Sequence, residues 1–187
     1  VFCSMESGAG DLYIKDLHTD RITRVVQSDG YDGGPFFSPD GKRICYRSDR
    51  RGDNHLQIFV ADLVFNDQGE VVGIEREHQV TNNAFVNWAP YWHPDGRHLV
   101  YATSAIGHHN YEVFLIDADP GTQPGSRGTL RYGTNGRRVT AAEGFDGLPV
   151  FSPDGKHLMW TSQRGDDGSS QVWIADFSGE LDAIGSP

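Results

Sequence analysis

Three polar residues stand at the same place in three similar phrases: Asp32 in "DGGP", Asn87 in "NWAP" and Asp146 in "DGLP". Two carboxylates and an amide gathered about one axis are oxygen ligands of the kind that a hard cation such as calcium takes. The same groups could hydrogen-bond a sugar or a peptide amine. A structural role competes with both, in which each Asp closes a turn with the Gly beside it. No D-x-[DN]-x-[DN]-G loop of the EF-hand kind is present, which weakens the metal reading.

The histidines offer a second chemistry. His108 and His109 sit side by side in "IGHHNYE", in a polar loop. Adjacent residues of an extended strand point to opposite faces, so they share one ion only if the loop curls. With Asp32 and Asp146 they are the candidate metal ligands. His93, His98 and His157 flank turns, where exposure to solvent is expected. Arg47 puts a charge in a strand column otherwise held by Cys3, Ala102 and Thr161. It could pair with Asp49, meet a neighbouring unit or reach a ligand beside Asp32, Asn87 and Asp146.

Nucleophilic catalysis finds no foothold. There is no G-x-S-x-G elbow, no H-E-x-x-H and no phosphate-cradling glycine loop. Two cysteines make no disulfide framework, and Cys45 lies in an apolar strand pattern that suits a small buried thiol. The "RGD" triplets at 51–53 and 164–166 fall in hairpin loops, which need Gly and Asp for their own geometry. They read as a product of the repeat rather than as an adhesion signal.

Composition narrows the partners. Across 187 residues, 26 Asp and Glu against 16 Lys and Arg leave a net charge of −10. That excludes a broad electrostatic footprint for nucleic acid and argues against docking on an anionic membrane face. No apolar run approaches the roughly 18–20 residues that span a bilayer, so no membrane insertion is expected. The opening "VFCSM" shows neither an initiator Met nor a recognisable signal peptide and starts in mid-pattern, as a piece cut from something longer would.

The elements that hold these residues come from a repeat. "FFSPDG" at 36–41 returns as "YWHPDG" at 91–96 and "VFSPDG" at 150–155. Each phrase leads into a short strand, with aromatics in register at Phe2, Tyr46, Tyr101 and Trp160 and hydroxyls at Ser4, Ser48, Thr103 and Ser162. A second strand follows, with its own aromatic column at Tyr13, Phe59, Phe114 and Trp173. Alternation at period two makes these strands, and no segment sustains a helical period. Ser-Pro-Asp-Gly is a type I turn written in sequence, with Gly where φ turns positive. Its Asp residues are therefore scaffold.

Self-similar units of four short aromatic-rich strands predict an all-β fold, a β-propeller of four-stranded antiparallel blades. About three and a half blades fit in the chain: a partial blade over 1–30, blades over 31–85 and 86–144, and a partial blade over 145–187. Asp40, Asp95 and Asp154 stand 55 and 59 residues apart, against roughly 40–45 for a compact blade. The surplus falls at 63–79, which reads as an extended hairpin, and at 118–138, a loop rich in Gly, Pro and Ser.

The full pattern, "P-x-aromatic-S-P-D-G-K-x-I-x-aromatic-x-S … I-aromatic-V-x-D … V-T", resembles the WD40-like Pro-Asp repeat of TolB-like propellers. That resemblance covers essentially the whole chain. It implies a periplasmic or extracellular location and a six-bladed ring, of which this chain would be part. It also implies a non-enzymatic platform that binds a protein or glycan partner, with Asp32, Asn87, Asp146 and Arg47 at the channel mouth. No cofactor is expected, calcium being the one possible exception. The open blades would be closed by the remaining blades of a larger propeller or by self-association. The alternative is the propeller domain of an enzyme: a metal-dependent lyase of the oligogalacturonate type, or the gating domain of a prolyl-oligopeptidase-like hydrolase.

Overall fold

A computed structural model describes residues 1–119, 133–178 and Leu181. Its strands form four antiparallel sheets in chain order. The first holds β1 (Phe2–Ser4), β2 (Asp11–Lys15) and β3 (Ile22–Val26). The second runs β4 (Asp32–Phe37), β5 (Arg43–Ser48), β6 (Gln57–Phe65) and β7 (Val71–Gln79). The third runs β8 (Asn87–Trp92), β9 (His98–Thr103), β10 (Glu112–Asp117) and β11 (Thr134–Arg138), and the fourth β12 (Asp146–Phe151), β13 (His157–Ser162) and β14 (Gln171–Asp176). Among the described residues no helix is long and apolar enough to cross a membrane.

The turn phrase does what its residues dictate. Gly41 N donates to Ser38 O at 2.8 Å and Gly155 N to Ser152 O at 2.9 Å, closing four-residue turns. Gly41, Gly96 and Gly155 take φ of 69°, 71° and 71°, which an L side chain resists. Asp40 accepts from the Ser38 hydroxyl at 2.6 Å and from Lys42 N at 3.1 Å. Asp154 does the same with Ser152 and Lys156. The Ser hydroxyl first, and then the backbone N–H, hold both carboxyls below their ordinary pKa.

The middle turn departs from expectation. His93 and His98, expected in solvent, are buried. His93 packs edge-on against Phe151 with ring centroids 4.7 Å apart, and also meets Phe177. His98 Nδ1 lies 2.7 Å from Asp95 Oδ2. An imidazole is long enough to reach across to the next blade, where Ser38 and Ser152 serve only their own turns. His157 is exposed, as expected.

Packing between sheets follows one rule three times. Tyr46 and Phe59 of the second sheet lie on Leu12 and Ile14 of the first. Tyr101 and Phe114 of the third lie on Cys45, Ile58 and Val60 of the second. Trp160 of the fourth lies on Val100, Val113 and Leu115 of the third. The second and third sheets thus lend both aromatic columns to the sheet before them, and the fourth lends Trp160, its Trp173 being exposed. Full burial of one such side chain contributes about 1.5–3 kcal/mol. The hairpin of β6 and β7 extends over 57–79 with its turn at 66–70, as the sequence suggests. The other insertion, read over 118–138, lies mostly outside the described residues, and its end is β11.

Every complete inner strand carries the same kink. Gly34, Ala89 and Leu148 have φ of 59°, 49° and 54°, each at a break in the register with the next strand. The chain accepts positive φ even without glycine, so this bulge belongs to the fold.

Candidate functional site

The register sorts the loops into two ends. Asp32 faces Ser48, Asn87 faces Thr103 and Asp146 faces Ser162, so the start of each inner strand shares an end with the loops 49–56, 104–111 and 163–170. The Ser-Pro-Asp-Gly turns lie at the opposite end.

At the loop end the structure places Asp32, Asn87 and Asp146 inside the seams between sheets, almost without exposure. Asp32 Oδ1 accepts from Arg50 Nη2 at 2.9 Å and its Oδ2 from the Ser28 hydroxyl at 2.8 Å. Asp146 Oδ2 accepts from Arg164 Nη2 at 2.6 Å and its Oδ1 from Trp160 Nε1 at 3.3 Å. Both guanidinium groups also donate through Nε to the hydroxyl column, to Ser48 at 2.9 Å and Ser162 at 2.8 Å. Each lies over aromatic rings: Arg50 over Phe59 at 4.5 Å, Arg164 over Trp160 at 4.9 Å. Arg50 is held further by Glu77 at 2.5 Å. Burial first, then Glu77, pushes the Tyr46 phenol well above its ordinary pKa, so it stays a donor to Glu77.

The triplets obscured both residues: one begins at Arg164 itself, the other at Arg51, one residue past Arg50. In the fold, Arg164 corresponds to Arg50 and not to Arg51, because each clamp residue stands two places after its Ser. The signal that finds them is "S-x-R" after the hydroxyl column. Arg51 instead meets Asp53 and Asn82 at the surface.

A second pair sits beside each clamp, Asp11 with Arg24 at 3.3 Å and Glu112 with Arg138. The middle seam holds none of these charges. Gln57, Gln79, Asn87 and Ala105 occupy the matching places. Asn87 Nδ2 donates to Asn83 Oδ1 at 2.9 Å, Phe85 O at 3.1 Å and Gln57 Oε1 at 3.2 Å.

The remaining sequence candidates lie nearer the surface. Arg47 does not pair with Asp49, whose Oδ1 takes Tyr31 N at 2.6 Å. Its guanidinium donates to the Tyr31 hydroxyl at 3.1 Å, lies over that ring at 5.6 Å and covers Gly34. His108 and His109 are exposed in the loop before β10. His108 Nδ1 lies 3.4 Å from the Tyr111 hydroxyl. Among the described residues, no three His, Cys, Asp or Glu side chains converge as a metal ion would require. Cys45 is fully buried, which raises its thiol pKa, and burial likewise raises that of Cys3.

One group escaped the sequence reading. Trp88, Tyr111 and Phe145 are half-buried and mutually in contact, with centroids 6.2, 6.1 and 6.0 Å apart. His108 borders them at 6.1 Å from Tyr111. In the flanking repeats a Gly takes the place of Trp88, and Tyr31 and Phe145 fold over those glycines. The third blade reverses the order, Val86 preceding Trp88, and so extends a ring toward the next blade. The signal was a break in the repeat, "NWAP" for "DGGP" and "DGLP".

The turn end carries an apolar cleft of about 280 Å³, lined by Phe37, Tyr91, Trp92, Phe151 and the turn prolines. Trp92 and Phe151 are buried between sheets, Tyr91 packs with Phe151 between the third and fourth sheets, and Phe37 is exposed.

Comparison with known proteins agrees with this architecture. No family model matches the chain. A TolB homolog of Chlorobium luteolum is 27% identical over 94% of this chain and 34% of its own length. An uncharacterised protein of Agrobacterium fabrum is 28% identical over 86% of this chain and 50% of its own. The crystal structure of TolB from Acinetobacter baumannii superposes with a TM-score of 0.61 at 26% identity, covering 90% of this chain and 35% of that one. The chain thus spans a third to a half of the length of these relatives. TolB-like propellers are its homologues over most of its sequence.

Proposed function

We propose that this chain, similar throughout to TolB-like propellers, forms part of a non-enzymatic binding platform, periplasmic or extracellular, that takes a protein partner at its loop end. The observation that supports the reading is the half-buried group of Trp88, Tyr111 and Phe145, with His108 beside it. Aromatic side chains in well-packed, partly open clusters are what dominate protein interfaces. The two loop-end carboxylates Asp32 and Asp146 are spent on arginine clamps, so rings and loops carry recognition.

A protein side chain fits this group better than a sugar ring. Trp88 and Tyr111 meet at 89°, edge to face, so the two rings do not join into one flat shelf on which a pyranose would stack. The net charge of −10 favours a basic partner surface.

The test is photo-crosslinking. A benzophenone amino acid at position 109, in the exposed loop beside the rings, should yield a discrete protein adduct in an extract of the source cells. Trp88→Ala or Tyr111→Ala should reduce it at least tenfold while leaving the thermal midpoint within a few degrees. An adduct indifferent to both substitutions, or displaced only by oligosaccharides, would overturn the protein-binding reading.

A further inference from the structure

The middle seam keeps the backbone of the arginine clamp but not its side chain. Arg50 N and Arg164 N donate to Ser48 Oγ and Ser162 Oγ, each at 3.2 Å, and Ala105 N donates to Thr103 Oγ1 at 3.3 Å. One residue earlier, Asp49 N, Ser104 N and Gln163 N donate to Tyr31 O, Val86 O and Phe145 O. Ala105 therefore starts where Arg50 and Arg164 start.

The acceptor that would meet a guanidinium is also in place. In the first seam Asp32 uses Oδ2 for Ser28, four residues before it, and Oδ1 for Arg50. Asn87 uses Nδ2 for Asn83, again four residues before it. Its Oδ1 accordingly faces the position that Arg50 fills. Asn87 is fully buried, and that Oδ1 has no hydrogen-bond partner. A buried acceptor without a donor costs about 1–3 kcal/mol, so a donor brought there is favoured. The rings that underlie Arg50, Tyr46 and Phe59, have their counterparts in Tyr101 and Phe114, 6.1 Å apart. Ala105 itself is only partly buried.

We infer that the middle seam is a binding slot for a guanidinium supplied from outside the chain, with Asn87 Oδ1 and the Thr103 hydroxyl accepting its hydrogens and Tyr101 and Phe114 beneath its plane. The chemistry is that of an arginine side chain, free or carried by a protein. A planar fork of donors suits two spaced acceptors over rings better than the compact ammonium of lysine does. This slot lies in a different seam from the Trp88 group, and its test requires no partner, so either reading can fail without the other.

The experiment is a titration of the 187-residue chain with N-acetyl-arginine methylamide, followed by amide NMR. Saturable shifts are expected at the Asn87 side-chain amide and the Ala105 N–H, with the lysine analogue at least tenfold weaker. Ala105→Arg should fill the slot from within, abolish the shifts and raise the thermal midpoint by about 3 °C or more. A Gly-Arg-Gly peptide binding much more tightly than the free amide identifies a protein side chain as the source, and equal binding identifies small guanidinium compounds. Absent or non-saturating shifts, shifts that survive Ala105→Arg, or a midpoint lowered by Ala105→Arg would each overturn the inference.

Discussion

Arg50 carries more of the loop end than any other single side chain: it joins Asp32, Glu77, Ser48 and two rings. Arg50→Met should therefore cost about 3–5 kcal/mol in urea unfolding, because it strands a buried carboxylate. The double variant Arg50→Met, Asp32→Leu should recover most of that loss, since replacing a buried pair by apolar groups is close to neutral. A second prediction concerns acid. Burial alone would raise the Asp95 carboxyl, but Arg97 N, the His98 imidazole and His98 N together lower it to about 2. A carboxyl depressed in the folded state stabilises it fully above about pH 4, near the unfolded pKa, and loses that contribution as pH falls toward 2. Asp40 and Asp154 are shifted in the same direction. The urea midpoint should fall between pH 5 and pH 2, and Asp95→Asn should flatten that fall. At this scale the sequence located positions but not surroundings. Asp32, Asn87 and Asp146 were legible as a column because they precede a shared proline. The burial of the two carboxylates was not, because it depends on arginines 18 residues further on that fold back to them.

Among the elements, the turn was the most legible, since Ser, Pro, Asp and Gly each answer a local geometric demand that needs no neighbour. That locality yields a contrast. Gly41→Ala places a methyl in open space at φ 69° and should cost about 1 kcal/mol from backbone conformation alone. Gly155→Ala adds a Cβ 2.8 Å from His93 Nε2, in a packed corner beside Phe151, and should cost distinctly more. Comparison of the two urea midpoints checks this. The corner itself was not legible: "YWHPDG" reads as a turn variant until the next blade supplies the rings that bury its His. The β6–β7 hairpin behaves differently. Its tip is tied to the preceding blade through Glu70, which accepts from Thr19 at 2.9 Å and Arg21 at 3.2 Å. Glu70→Ala should leave the global midpoint nearly unchanged and speed proteolysis within 66–69, because exposed ties of this kind add little to overall stability.

For the whole molecule, the repeat explains the frame and the exceptions to the repeat carry the function. Alternation and matched aromatic columns sufficed to foresee sheets stacked face to face, since each column must find an apolar face on its neighbour. They could not foresee the Trp88 group, which exists because one blade exchanged the positions of its ring and its small residue. Nor could they foresee that four loop-end positions of the middle seam, Gln57, Gln79, Asn87 and Ala105, lack the charges of their counterparts. Both exceptions sit at the loop end, whereas the turn end repeats its phrase with little change. The direct comparison is therefore between the ends of the same molecule. Benzophenone placed at position 109, at the loop end, and separately at position 40, at the turn end, should give a partner adduct from the first and none from the second. A partner captured at position 40 with equal or greater yield, and insensitive to Trp88→Ala, would contradict the account.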